Sequence, residues 1–202
     1  MSREGKTGSA VVLTDQQLKI VFKTISGSGS SHTSRNHLII VLSHLCGLRS
    51  KEMASLVIGD VWDGEKIPDV LRLIASYTKG NKHRDIPLTH KKVRDAIQNR
   101  ITDELEKKGE VILTKPLFQS QKGGFFTANS MVHLVKRIYK DAGLVNASSH
   151  SGRRKFATTL IESGADINCV KILMGHSSIQ TTALYFSTNP DRLANLMTNI
   201  DM

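Results

Sequence analysis

The feature that most restricts the fold is the run Leu38-Ile39-Ile40-Val41-Leu42, followed by Leu45, inside the segment from Arg35 to Gly47. Five successive apolar residues cover the whole circumference of a helix, whereas a surface helix carries a single apolar stripe. The segment therefore predicts a helix buried on all sides, and the rest of the chain must supply the elements that cover it. Thr14-Asp15-Gln16-Gln17 reads as a capping box that opens a helix running to about Thr24. The Gly/Ser stretch Gly27 to Ser34 is a loop, Gly47 allows a turn, and Ser50 can cap a short helix through Leu56. Strand-like sequence follows at Val57 to Trp62, Leu71 to Thr78 and Lys82 to Leu88, the last two joined by the turn Lys79-Gly80-Asn81. Pro87-Leu88-Thr89 closes that strand and caps a long amphipathic helix to Lys108, Pro116 and Gly123-Gly124 mark loops, and helices are expected at about 129–142, 151–163, 167–174 and 178–186. One small sheet among many helices makes the class α+β, mainly α.

The 202 residues suit one domain with a real core, and 39% hydrophobic with 23% charged residues is a soluble globular balance that argues against disorder or a fibre. No apolar run reaches the ~18 residues of a membrane span, and MSREGKTGSA lacks the apolar stretch of a signal peptide, so a cytoplasmic location is expected. Cys46 and Cys169 are too few for a disulfide framework, and neither has a second Cys or His at zinc-ligand spacing; no metal and no cofactor are expected.

The formal net charge of +10 is concentrated. Residues 72–94 carry seven cations (Arg72, Lys79, Lys82, Arg84, Lys91, Lys92, Arg94) against Asp85, and residues 136–155 carry six (Lys136, Arg137, Lys140, Arg153, Arg154, Lys155) against Asp141. The remainder is near neutral, which is the footprint of a polyanion partner rather than of charge spread for solubility. With 5% aromatics there is little material for base stacking, so duplex phosphates are favoured over single strands.

Several polar residues stand at breaks inside apolar segments, where folding alone does not call for them. Arg49 follows Cys46-Gly47-Leu48, with Glu52 one helical turn on. His150 and Arg153 are three apart, and a helix beginning at Ser151 turns both toward one anion-binding N-terminus. His176 follows Gly175, the expected stop of the helix from Asp166 to Met174, and Tyr185 closes the next helix. Taken singly, each has an ordinary reading: an ion pair, a polar helix end, a half-buried packing tyrosine.

Together, Gly47-Leu48-Arg49-Ser50-Lys51-Glu52-Met53, Lys79-Gly80-Asn81-Lys82-His83-Arg84-Asp85-Ile86-Pro87-Leu88, His150-Ser-Gly-Arg153 and Leu173-Met174-Gly175-His176-Ser177 with Thr181-Thr182 and Tyr185 resemble, in order and spacing, the motifs of the tyrosine recombinases of phage-integrase and Xer type. The resemblance implies that Tyr185 is the nucleophile, leaving a 3′-phosphotyrosyl link and a free 5′-hydroxyl. It implies that Arg49 and Arg153 clamp the phosphate oxygens and that Lys79 is the general acid, with Lys82 in the same turn as the alternative. His150 and His176 would hydrogen-bond the phosphate or assist proton transfer, and Glu52 would support the pocket. Lys82, Arg84, Lys136, Arg137, Lys140, Arg154 and Lys155 are the expected DNA contacts. Two positions depart from the family pattern: Gly152 stands where Leu is usual and Arg154 where His is common.

The expected organisation is a polar tail at 1–13, a catalytic domain at 14–189 and a tail at 190–202 whose Leu193, Leu196, Met197 and Ile200 form an apolar stripe. That tail would dock either on a neighbouring protomer in a recombining tetramer, from monomers in solution, or on its own domain. Only 13 residues precede Thr14, so the chain reads as the catalytic half alone, as in the short Fim-type inversion recombinases, without the usual N-terminal helical domain. The implied function is integration, excision or inversion of double-stranded DNA, with DNA-bending proteins as possible accessories. A non-catalytic DNA-binding protein descended from an integrase and a relaxing activity of type IB topoisomerase kind are the alternatives.

Overall fold

The computed structural model describes residues 10–78 and 83–186. Ten elements follow in chain order: α1 (Asp15–Gly27), α2 (Thr33–Leu45), α3 (Ser50–Ser55), β1 (Val70–Leu73), β2 (Arg84–Pro87), α4 (Lys91–Lys108), α5 (Ala128–Asp141), α6 (Ser151–Glu162), α7 (Ile167–Met174) and α8 (Ile179–Phe186). The mainly helical α+β class stands, with two antiparallel strands paired from Val70 opposite Pro87 to Leu73 opposite Arg84. The segment 79–82 and the tail beyond 186 lie outside the described residues.

The apolar run does what its pattern requires. Every residue from Leu38 to His44 is buried, and α2 is packed against α1, α4, α5 and α6. Thr14 caps α1 through the expected box, its Oγ1 accepting from Gln17 N at 3.2 Å while Gln17 Oε1 accepts from Thr14 N at 3.0 Å. Among the described residues the buried apolar side chains form two clusters. The larger surrounds α2; the smaller joins Ala157 and Ile161 of α6 to Val170 and Met174 of α7, with Phe156, Leu160 and Tyr185 against it.

Three local expectations are corrected. Val57 to Trp62 is no strand: Val57 makes a single bridge to Pro116 and Ile58–Asp60 is a 3-10 turn, with Asp60 Oδ2 accepting from Val57 N at 2.8 Å. Leu71 to Thr78 is strand only as far as Leu73, the end of β1, before a 3-10 turn at Ala75–Tyr77. Caps also move by one residue, since His90 rather than Thr89 caps α4, its Nδ1 accepting from Lys92 N at 3.1 Å, and Arg49 rather than Ser50 stands at the start of α3. Among the described residues no helix is long and apolar enough to cross a membrane.

Candidate active site

The site is built around the C-terminal end of α7. Asp166 caps its start, accepting from Asn168 N at 2.7 Å and Cys169 N at 3.0 Å, and Gly175 ends it in the left-handed region at φ 58°, ψ 44°. A helix end leaves its last carbonyls without partners and carries partial negative charge. Here three successive carbonyls accept from three arginines of three different elements. Leu173 O takes Arg84 Nη1 at 2.9 Å, Met174 O takes Arg153 Nη2, and Gly175 O takes Arg49 Nη2 at 2.9 Å. A side chain at Gly175 is excluded twice: its backbone is left-handed, and a Cβ there would lie 2.8 Å from Arg84 Cδ.

Glu52 organises the arginines. Fully buried on α3, it accepts from Arg49 N at 2.7 Å, from Arg49 Nη1 at 2.8 Å and from Arg84 Nη2 at 2.6 Å. One carboxylate thus neutralises two guanidiniums. Among the described residues Arg153 has no carboxylate hydrogen-bond partner: it projects from α6, is buried, and gives another bond to Gly47 O. Burial first, then the charges of Arg49 and Arg84, bring its pKa down to about 9. Gly47 turns here with φ 61°, and a Cβ would meet the Phe156 ring at 2.4 Å, so the approach of α6 to the end of α2 depends on glycine.

The two histidines lie in this positive field. His176 follows Gly175; burial, then Arg153, Arg49 and Arg84, lower its pKa to about 4, so it is neutral at physiological pH. Its Nδ1 lies 2.9 Å from Thr182 Oγ1, and its ring is nearly parallel to that of Tyr185, with centroids 6.1 Å apart and 14° between planes. His150 starts α6; desolvation of its inner side, then Arg153 and Arg49, push its pKa below the ordinary histidine value. The structure therefore gathers Arg49, Glu52, His150, Arg153, His176 and Tyr185. It adds Thr182, fully buried on α8, which sequence reasoning missed although it sits in the quoted motif between His176 and Tyr185.

The expected DNA contacts separate. Lys136, Arg137 and Lys140 are exposed on α5. Arg154 Nη1 donates to Ala10 O at 3.0 Å and Lys155 pairs with Asp15 at 3.0 Å, so both are engaged by the N-terminal segment. Arg84 turns inward instead of lying at the surface: with Glu52 and Leu173 O as partners its side chain is 4% exposed, at a cleft wall. The strand period carried that signal, because Arg84 and Ile86 share the inward face of β2. Lys79 and Lys82 lie outside the described residues, but Thr78 and His83 on either side both line a cleft of about 430 Å³ with Arg49, Arg84, Gly175 and His176. Among the described residues no three His, Cys, Asp or Glu side chains are gathered as metal ligands.

Comparison with known proteins decides the family. The model of the phage integrase family matches residues 11–192. The chain belongs to the phage integrase family. It is 32% identical over 160 residues to the tyrosine recombinase XerC of Pelobacter propionicus, covering 79% of this chain and 49% of that protein. It is 34% identical over 163 residues to XerD of Corynebacterium glutamicum, covering 79% and 50% respectively. This family member thus spans about half the length of the curated relatives it matches. Its fold is that of the solved XerA recombinase (TM-score 0.73, 22% identity, 96% of this chain and 68% of that one). It also matches the XerH site-specific recombinase bound to its difH substrate (TM-score 0.68, 24% identity, 93% and 53%).

Proposed function

We propose that the protein is a site-specific recombinase that cuts and rejoins duplex DNA through Tyr185. The observation that carries this reading is the convergence of Arg49 and Arg153 on adjacent carbonyls, Gly175 O and Met174 O, beside the stacked pair His176 and Tyr185. Carbonyl oxygens and phosphate oxygens make the same demand on a guanidinium, so the site that holds two carbonyls in the free protein is suited to two non-bridging oxygens of a phosphodiester. Tyr185 Oη attacks phosphorus, the bond to the 5′-oxygen breaks, and the leaving oxygen takes a proton. Arg49 and Arg153 stabilise the charge that develops on the equatorial oxygens. His176, neutral in this field, can accept hydrogen bonds or a proton where a charged imidazolium could not. Lys79 supplies the leaving-group proton in this account, supported by Thr78 and His83, the described residues that flank its segment in sequence and line the cleft. Because the phosphotyrosyl link conserves the bond, attack by a 5′-hydroxyl reverses the step without an external energy source.

The two basic segments support double-stranded DNA as the substrate. Exchange between two sites needs four cleavages, and we assign them to a tetramer assembled on DNA from chains whose catalytic domain spans 14–189 and whose tail spans 190–202. Removing residues 191–202 abolishes the cooperative species in band-shift titrations and spares single-chain binding; unchanged cooperativity contradicts that assignment.

The reaction itself is tested with a nicked duplex site, on which the cut end diffuses away and the covalent complex accumulates on a denaturing gel. The wild type forms it, Tyr185→Phe does not, and Lys79→Ala slows it about 10²-fold or more while Lys82→Ala changes it little. A covalent complex that survives Tyr185→Phe, or none with any duplex the protein binds specifically, overturns the reading in favour of a non-catalytic DNA-binding role.

A further inference from the structure

Three guanidiniums cap α7, but they are not equivalent. Arg49 retains 22% side-chain exposure and faces the cleft, whereas Arg84 is 4% exposed and has a fixed partner on each side, Glu52 Oε2 at 2.6 Å and Leu173 O at 2.9 Å. If a phosphodiester enters as proposed above, it competes for the guanidinium hydrogens that Arg49 and Arg153 give to Gly175 O and Met174 O. The end of α7 then loses two of its three arginine contacts at the moment when His176, the next residue, must keep its position.

Resting on that reading, we propose that Arg84 is a positioning residue for the cleavage step: it ties the last turn of α7, and through it Gly175 and His176, to Glu52 while Arg49 and Arg153 turn to the phosphate. The geometry is specific. Arg84 opens β2, immediately after the segment that carries Lys79, and it bridges α3 through Glu52 and α7 through Leu173. Its Cδ lies within 2.8 Å of where a Cβ on Gly175 would stand, so the guanidinium stem also fills the space under the turn. Two acceptors on opposite sides require the planar fork of arginine; an ammonium of lysine reaches one or the other. What sets Arg84 apart from Arg153, which is equally buried, is its carboxylate partner: Glu52 holds the Arg84 guanidinium from one side while Leu173 O holds it from the other.

The test uses the full chain with Arg84→Gln and Arg84→Lys. Arg84→Gln is expected to bind the nicked duplex within about twofold of wild type with the same salt slope, and to form the covalent complex about 100-fold more slowly, the scale for a displacement near 1 Å at a reacting group. Ring resonances of His176 followed by NMR in the free protein are expected to move in Arg84→Gln, a readout that does not depend on activity. Should Arg84→Gln fail to fold, Arg84→Lys, which keeps the charge beside Glu52, is expected to fold, bind DNA normally and still slow the covalent step at least tenfold. Wild-type covalent rates in either folded variant overturn the proposal. So does a parallel fall in affinity and salt slope, which would make Arg84 a phosphate contact. If the wild type itself forms no covalent complex, the recombinase reading fails. The His176 resonances then decide on Arg84 alone, unmoved signals rejecting the tie between Arg84 and α7.

Discussion

Gly152 and His44 show how single residues set the position of the site. Where the family pattern has leucine, this chain has glycine, and a Cβ at Gly152 would lie 2.2 Å from Ser43 Oγ and 2.7 Å from His44 Nδ1. The side chains of α2 have taken the room, so α6 approaches close enough for Arg153 to reach both Gly47 O and Met174 O. Gly152→Ala is expected to cost about 1–3 kcal/mol as an overpacked core does, and to slow cleavage through displacement of Arg153; denaturant melts and the nicked-duplex assay read the two effects. His44 itself is 3% exposed and its Nδ1 bonds Ile40 O at 3.0 Å. Burial lowers its pKa from 6.5 to about 4. The unfolded chain binds the proton more readily, so stability is full above about pH 6.5 and falls as pH drops toward 4, by up to about 3 kcal/mol from this residue. His176, lowered to about 4 as well, acts in the same direction. Urea titrations at about pH 7 and pH 5 measure the loss, and equal stability at the two contradicts a buried neutral His44.

At the scale of elements, the sequence is legible where a local rule decides and misleading where the partner is distant. The apolar run of α2, the Thr14 capping box and the glycine stop of α7 depend on neighbours within a turn or two, and all three form as read. Val57 to Trp62 has strand composition, but the backbone partners available to it are loop groups: Ile58 N bonds Lys115 O at 2.9 Å and Gly59 N bonds Leu113 O at 2.8 Å. A strand requires a paired strand, and no local pattern announces which segment lies alongside. The cap of α7 by three arginines is of the same kind. Arg49, Arg84 and Arg153 are far apart in the chain, and only the packing of α3, β2 and α6 around one helix end brings them together. Gly47→Ala probes that packing most simply, since it places a methyl 2.4 Å from the Phe156 ring in a left-handed backbone. We expect a loss of about 2–4 kcal/mol in denaturant melts, the sum of strain and overpacking, and a loss within a few tenths of a kcal/mol contradicts the close approach.

At the scale of the molecule, the described residues form a large core around α2 and a smaller one shared by α6, α7 and the Tyr185 face of α8. The division places Arg49 and Glu52 on the first and His176 and Tyr185 on the second, so the candidate site lies where the two meet. The two basic segments seen in the sequence are also split by the fold: Arg84 and Arg153 turn inward to the end of α7, and Lys136, Arg137 and Lys140 remain at the surface of α5. Charge counting pointed to a polyanion but could not separate these uses, because the groups that draw the arginines inward, Glu52 and Leu173 O for Arg84, Gly47 O and Met174 O for Arg153, are distant in sequence. The central claim is that this shared site joins DNA to Tyr185. Proteolysis of the covalent complex followed by mass spectrometry of the nucleotide-bearing peptide tests it directly: the account predicts a nucleotide 3′-phosphate on Tyr185, and an adduct on any other residue contradicts it.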